Sequence, residues 1–299
     1  MSIRPAPLPL DQSFDAPYGE CVQVAPRIAR VLAPNSGPFT FKGTGVYILG
    51  DRDVVVIDPG PDIPAHIDAL KRALEGRRVT HILVTHTHRD HSPAAAALKT
   101  FCKAKTFAFG PQAGGGDESG AKVEEGSDVD FVPDVRVKDG DMLACDGFSM
   151  ECVFTPGHTS NHMCYALPEE RALFTGDHVM GWSTTVVAPP DGDMAAYRAS
   201  LDKLLARDDR ALWPTHGGPV RDPKPLIRAL RDHRSEREQQ ILSCLRGSIR
   251  TIPDIVAHLY ADVDSRLHPA AARTVLAHLI QLEHDGRVRR NGELFEAVA

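Results

Sequence analysis

Four metal-binding side chains occur within six residues in the segment 85–91, Thr-His-Thr-His-Arg-Asp-His, directly after a short apolar run. The apolar run predicts a buried strand. In an extended chain His86 and His88 point to the same side, because side chains alternate with a period of two. The turn that must follow presents Asp90 and His91. Imidazoles and a carboxylate on so short a span suit zinc or a similar divalent ion, so the pattern predicts a metal site.

Three more polar residues follow strand-like segments further along the chain. His158 comes after Thr-Pro-Gly, Asp177 comes after Thr-Gly, and His216 is followed by Gly-Gly. Rigid strands can aim such side chains, and the neighbouring glycines permit close approach of the backbone. We therefore expect all three to contribute to the same site.

The elements that must position these residues mix strands and helices. An apolar run at 53–57 predicts a buried strand, 22–31 predicts one early strand, and 114–118 predicts an irregular glycine-rich loop. This mixture indicates an α/β fold with mixed sheets. After Pro219 the pattern changes to three helices and a hairpin around an Asn-Gly turn, which is the outline of a winged helix. We expect a catalytic domain over 1–222 and a helical linker with a winged-helix-like domain over 223–299.

Composition limits the class of protein. The chain has 299 residues, is 42% hydrophobic and carries a net charge of −6. It can bury a core, it has no apolar run long enough to span a membrane, and bulk attraction to nucleic acid is not expected. Its N-terminal segment lacks the apolar centre of a secretory signal, so a cytoplasmic location is expected. The six cysteines form no CxxC pair and are predicted to be reduced thiols.

Taken together, these residues and Asp58 resemble the signature of the metallo-β-lactamase-fold superfamily. The resemblance implies an αββα sandwich of two mixed sheets with a two-metal hydrolytic centre. It implies that Asp177 bridges the two ions and that Asp58 supports the histidine loop without binding metal. The other implied ligands fall into two groups, His86, His88 and His158 for one ion, and Asp90, His91 and His216 for the other. Zinc is the expected metal, two ions per chain, with manganese and iron as alternatives.

Catalytic roles are expected for few residues. Asp177 and Asp90 would act at the nucleophile, and Asp177 would orient the attacking hydroxide. His162 would contact substrate or donate a proton, or else would be structural. Thr184 and Thr185 are candidate substrate contacts at the pocket rim. Strand alternation points His178 away from the site. The remaining histidines are predicted to be surface or packing residues, namely His66, His81, His233, His258, His268, His278 and His284.

The stretch 232–242, Asp-His-Arg-Ser-Glu-Arg-Glu-Gln-Gln-Ile-Leu, resembles the corresponding stretch of the β-lactamase-like protein 2 branch. That resemblance implies an endoribonuclease acting on single-stranded RNA. One alternative is a thioester or ester hydrolase of the glyoxalase II type, against which the winged helix counts because that branch ends differently. Another is a β-lactamase, which would normally be exported.

A winged-helix DNA-binding regulator is the remaining alternative. Residues 235–299 contain eight arginines and nine acids, whereas a reader of duplex DNA should be basic, so duplex DNA is not an expected partner. Arg287, Arg289 and Arg290 could still touch phosphates from the wing. A solvated face, or a lid over the active site, is the favoured interpretation of this domain.

Overall fold

The structure is a computed structural model that describes residues 8–113 and 126–298. The glycine-rich segment expected to be an irregular loop lies outside the described residues. Two sheets, six α-helices and a terminal hairpin account for the described secondary structure, together with short 3₁₀ turns at Pro168–Glu170 and Ser265–Leu267. No helix in the described ranges has both the length and the apolar character needed to cross a bilayer.

The first sheet has its seven strands side by side in chain order. They are β1 (Cys21–Ala25), β2 (Ile28–Leu32), β3 (Gly45–Leu49), β4 (Asp53–Ile57), β5 (Arg78–Leu83), β6 (Lys105–Ala108) and β7 (Val135–Arg136). Pairing is antiparallel from β1 to β4 and parallel from β4 to β7. The prediction of one strand over 22–31 is wrong, because the chain turns at Pro26, which has no N–H to donate to a ladder.

The second sheet has six strands in the order β13-β12-β11-β10-β9-β8. They are β8 (Met142–Ala144), β9 (Ser149–Phe154), β10 (Met163–Leu167), β11 (Ala172–Gly176), β12 (Ala211–Pro214) and β13 (Val220–Arg221). Only β11 and β12 pair parallel, so this sheet is also mixed.

Side-chain alternation divides the core into layers. Tyr47 and Leu49 of β3 pack between the two sheets, whereas Val46 and Ile48 face the helices α1 (Pro64–Leu74) and α2 (Ala94–Cys102). The outer face of the second sheet packs against α3 (Met194–Ala206) and the first half of α4 (Pro223–Arg246). The expected αββα sandwich of two mixed sheets is confirmed.

The C-terminal part consists of α5 (Ile252–Leu259), α6 (His268–His284) and the hairpin β14 (Val288–Asn291) and β15 (Leu294–Ala297). Its core also contains Ile241, Leu242 and Leu245 from the second half of α4. The predicted three helices and hairpin of a winged helix are therefore present, and α4 is shared between two cores.

Candidate metal centre

The ends of four strands deliver the candidate ligands. His86 follows β5, His158 follows β9, Asp177 follows β11 and His216 follows β12. Because β9, β11 and β12 run in the same direction, their carboxyl ends meet at one edge of the sandwich. The ligands, distant in sequence, are thus brought together by strand direction.

The structure brings all seven predicted ligands together in two buried clusters whose ligand atoms lie within 4.8 Å of one another. The clusters are His86, His88 and His158, and Asp90, His91, Asp177 and His216. This is the division that the superfamily resemblance implies. The arrangement is consistent with the binuclear site of that superfamily.

The second cluster fits a cation. His216 Nε2 lies 3.0 Å from Asp90 Oδ2 and 3.4 Å from Asp177 Oδ1. His91 Nε2 lies 3.4 Å and 3.5 Å from the same two oxygens. Despite these short distances, His91 Nε2, His216 Nε2 and Asp177 Oδ1 are buried and make no hydrogen bond of acceptable geometry among the described residues. Buried polar atoms normally have partners, so these converging atoms suit a bound metal ion.

Asp177 faces both clusters. Its Oδ1 belongs to the group just described, whereas its Oδ2 lies 4.0 Å from His158 Nε2 in the first cluster. In that first cluster His86 Nε2 and His88 Nδ1 are 3.0 Å apart. Asp177 therefore has the position that the predicted bridging role requires.

The ring nitrogens that face away from the clusters are engaged by hydrogen bonds. His91 Nδ1 lies 2.9 Å from Asp58 Oδ2, His158 Nδ1 lies 2.8 Å from the Val186 carbonyl, and His216 Nδ1 lies 3.1 Å from the Gly43 carbonyl. Donation from these nitrogens fixes the tautomer and aims the other nitrogen at the cluster.

Asp58 lies behind the second cluster, as expected for a supporting residue. Its carboxylate accepts from the Thr85 amide at 2.7 Å, the Thr85 hydroxyl at 2.8 Å and the Thr215 hydroxyl at 2.8 Å. These threonines were not singled out by the sequence reasoning for this role. The available signal was that each directly precedes a candidate ligand, His86 or His216.

The electrostatics of the second cluster show why it needs positive charge. Although burial opposes it, Asp177 and Asp90 raise the pKa of His216 to about 10, and the carboxylates also raise the pKa of His91. Burial acts to raise the pKa of Asp90, but His91 and His216 hold it below its ordinary value. Without metal, protons balance these carboxylates, and a metal ion would replace those protons.

The first cluster has the opposite character. Burial, together with the neighbouring imidazoles, lowers the pKa of His86 well below its ordinary value. Burial and His158 lower the pKa of His88 to about 3. These rings are neutral at physiological pH, which is the form that binds metal.

His162 and His178 lie beside the clusters. His162 Nδ1 lies 2.9 Å from the Thr155 hydroxyl, and its Nε2 accepts from the Asp177 amide at 3.3 Å. Both nitrogens of His162 are thus engaged, which favours the structural alternative, and the catalytic role stays a prediction. His178 is buried against Tyr197, with ring centroids 4.8 Å apart, in agreement with its predicted direction away from the site.

A cavity of about 290 Å³ opens onto both clusters. Thr184 and Thr185 line it, and the Thr185 hydroxyl donates to the Asp177 carbonyl at 2.7 Å. Residues from the C-terminal part complete the wall, namely Tyr260, Val263, Leu267, Ala270, Ala271 and Thr274. The winged helix therefore packs over the site, as in the lid interpretation, which is one of the two that the sequence left open.

Two arginines in this wall, Arg234 and Arg237 of α4, were not expected at the site. His233, predicted to be an ordinary surface or packing residue, lines the cavity as well. The available signal was the spacing of Arg234 and Arg237, which places both on one face of a helix. The wing arginine Arg287 donates to Glu238 and is thereby engaged within the protein.

Comparison with protein families gives two matches. Residues 40–216 match the model of the metallo-beta-lactamase superfamily, and residues 251–296 match that of the beta-lactamase associated winged helix domain. Among solved structures, a metallo-beta-lactamase family protein of Thermus thermophilus superposes with a TM-score of 0.75 at 25% identity, covering 92% of this chain and all of that one.

Two relatives bear on the chemistry. An atrochrysone carboxyl ACP thioesterase of Aspergillus chevalieri is 29% identical over 286 residues, which cover 91% of this chain and 86% of that protein. A beta-lactamase-like protein 2 homolog of Caenorhabditis elegans is 31% identical over 268 residues, covering 87% of this chain and 85% of that protein. A protein named as a thioesterase thus matches nearly the whole chain, whereas the sequence reasoning counted the winged helix against thioesterases of the glyoxalase II type.

Proposed function

Because the chain belongs to the metallo-beta-lactamase superfamily and is a metal-dependent hydrolase, we propose that it cleaves acyl thioesters. The observation that carries the proposal is the cavity at the metal centre, whose wall is largely apolar and includes Val263, Leu267 and Ala270. Such walls suit an acyl chain. Relatives named as thioesterases support the same chemistry.

The proposed roles follow the two clusters. His86, His88 and His158 would hold one ion, His91 and His216 would hold the other with Asp90, and Asp177 would bridge them. Two zinc ions suit this mixture of imidazole and carboxylate, with manganese or iron as alternatives. When bound, the ions supply Lewis acidity, which lowers the pKa of water towards neutrality and draws charge from the carbonyl.

The residues of the chain supply positioning and proton handling. The carboxylates of Asp90 and Asp177, which line the cavity, would orient the attacking water and accept its proton. Thr184 and Thr185 contribute rim contacts. His162 holds the Asp177 backbone from behind, and Asp58 holds His91. We also propose that residues 1–222 carry the chemistry and that residues 223–299 supply the linker helix and the winged helix over the site.

Cleavage of single-stranded RNA is the second candidate. It is favoured by the resemblance of the stretch 232–242 to the β-lactamase-like protein 2 branch and by the similarity to the C. elegans protein of that name. RNA strands are usually held in extended basic grooves, whereas this chain has a net charge of −6 and its cavity, although it contains Arg234 and Arg237, has a volume of only about 290 Å³. We therefore place RNA second, followed by β-lactam hydrolysis. Duplex DNA is not proposed as a partner, and the six free cysteines support a cytoplasmic location.

The test uses purified protein of measured metal content and three substrates: hexanoyl-N-acetylcysteamine, a fluorescent single-stranded RNA and nitrocefin. We expect thioester hydrolysis that is abolished by a chelator and by Asp177→Ala. RNA cleavage without thioester turnover would overturn the proposal in favour of the second candidate. Activity that persists in Asp177→Ala would contradict the proposed role of Asp177 and would point to a contaminant.

A further inference from the structure

Two arginines of α4 line the cavity that contains the metal centre. Arg234 is only 2% exposed and Arg237 only 7%. Three residues apart on a helix, they lie on the same face. Both lie in the stretch 232–242, and the proposed reaction gives them no role.

The contacts of these arginines orient them without neutralising their charge. Arg234 donates to the Thr185 carbonyl and lies 5.2 Å from the ring centre of Tyr197. Arg237 donates to the Leu259 carbonyl at 3.3 Å and lies 4.2 Å from the ring centre of Tyr260.

Neither arginine has a carboxylate partner within the ranges that the structure describes, and both Nε atoms are buried without a hydrogen bond. The nearby acid on the same helix, Glu238, is already paired with two other arginines. Arg198 donates to it at 2.9 Å, and Arg287 donates to its other oxygen.

The pKa of the neighbouring His233 is consistent with this excess of positive charge. Burial, and then Arg234 and Arg237, lower the pKa of His233 to about 3, so this ring stays neutral. Buried guanidinium groups without a counter-ion are costly, and a cavity that contains two of them is built to receive an anion.

On the basis of the proposed thioester hydrolysis, we propose that Arg234 and Arg237 form an anion subsite that binds a carboxylate or phosphate group of the substrate, away from the bond that is cleaved. A guanidinium presents its N–H groups in a planar fork that matches either oxyanion. The substrate is then an acyl compound with an apolar body, which packs against the cavity wall, and one charged group, which pairs with the arginines.

The subsite is connected to the metal centre. Arg234 donates to the carbonyl of Thr185, whose hydroxyl donates to the carbonyl of Asp177. An anion that fixes Arg234 therefore also steadies the segment that carries the bridging carboxylate. Binding of the charged group and alignment of the reacting bond are linked through these two hydrogen bonds.

The test compares two matched pairs of thioesters on the metal-loaded protein. Adipoyl- and hexanoyl-N-acetylcysteamine differ by a carboxylate on the acyl chain. Hexanoyl-4′-phosphopantetheine and hexanoyl-pantetheine differ by a phosphate on the thiol side. We expect the wild-type protein to prefer the anionic member of one pair by at least tenfold in kcat/KM, which identifies the source of the anion.

Variants assign that preference to the arginines. Arg237→Gln should reduce the anionic-to-neutral ratio towards one, Arg237→Lys should restore part of it, and Arg289→Gln, at an exposed position of β14, should retain it. A wild-type ratio near one in both pairs, or a ratio that Arg237→Gln leaves unchanged, overturns the subsite.

A binding measurement separates this inference from the proposed reaction. Isothermal titration with adipate and with inorganic phosphate should show at least tenfold weaker binding of one of them to Arg237→Gln than to the wild type. If no thioester is hydrolysed but this loss is observed, the proposed reaction fails and the subsite stands. Equal affinity of both proteins for both probes overturns the subsite.

Discussion

Asp58 occupies the left-handed region of backbone conformation, at φ 48°, where few residues other than glycine are comfortable. Its carboxylate is buried and collects hydrogen bonds from Thr85, Thr215 and His91. The strain is therefore offset by a network that fixes the direction of a candidate ligand.

Replacement of Asp58 with asparagine should weaken metal binding to the second cluster. An amide cannot match the negative charge that faces His91, and such supporting residues typically contribute about 10–100-fold in metal affinity. We expect a loss of that size for one of two ions in a chelator-competition titration. Asp53→Asn, at the other end of β4, serves as the control. Equal loss of both ions, or no loss, would contradict the supporting role.

His162→Gln tests whether this histidine is a positioning residue or a proton donor. Glutamine can still accept a hydrogen bond from the Asp177 amide, so a positioning role predicts kcat within about tenfold of the wild type and an unchanged pH profile. A proton donor would instead lose about 10²–10⁴-fold and one limb of the profile. The pH dependence of kcat for the two proteins distinguishes these outcomes.

At the scale of elements, the loop between β9 and β10 is clamped against α3. Gly157 has a φ of 136°, and a Cβ there would lie 2.3 Å from the backbone nitrogen of Tyr197. The position of His158 therefore depends on a contact that only glycine allows.

Gly157→Ala should destabilise the protein and reduce its metal content. Gly76→Ala is the matched control, because its φ is 74° but a Cβ would meet nothing within 4 Å. The backbone clash should make Gly157→Ala at least about 2 kcal/mol less stable than the control. Denaturant unfolding measures the difference, and equal stabilities would show that the loop yields easily.

The sequence predicted which candidate ligands come together, because their signals are local. Most of these residues closely follow a strand, as His86 and Asp177 do, and the direction of the strands brings them to one edge of the sandwich. Sequence did not predict the cavity wall, because helical periodicity identifies a buried face of α4 but not the neighbour it meets. Arg234 and Arg237 therefore became interpretable only when the cavity was seen. The early turn at Pro26 was missed because both flanking segments favour strands.

At the scale of the whole molecule, α4 joins two hydrophobic cores. Its first half packs through Leu226 and Leu230 on the second sheet, and its second half packs through Ile241 and Leu245 on α5 and α6. Ala277 of α6 also reaches the first of these cores. The winged helix thus packs against the rest of the protein and is not connected to it by a linker alone.

This packing predicts that the two parts lose stability together. Removal of metal favours unfolding of the part that binds it. We expect a chelator to reduce hydrogen-exchange protection in α6 as well as in β10 and β11 at moderate denaturant. Mass spectrometry of peptides from both parts makes the measurement. Unchanged protection of α6 alongside a loss in the strands would show that the parts unfold independently.

The shared helix also constrains how such proteins can diverge by recombination. A crossover between relatives near residue 250 would exchange the winged helix but leave the arginines of α4 with their original metal centre, and so would alter the apolar wall while keeping the charge. A crossover before residue 223 would transfer the C-terminal wall residues and the two arginines of α4 together. Relatives that acquired new substrates by recombination should therefore carry recombination breakpoints before or after α4, and seldom within it.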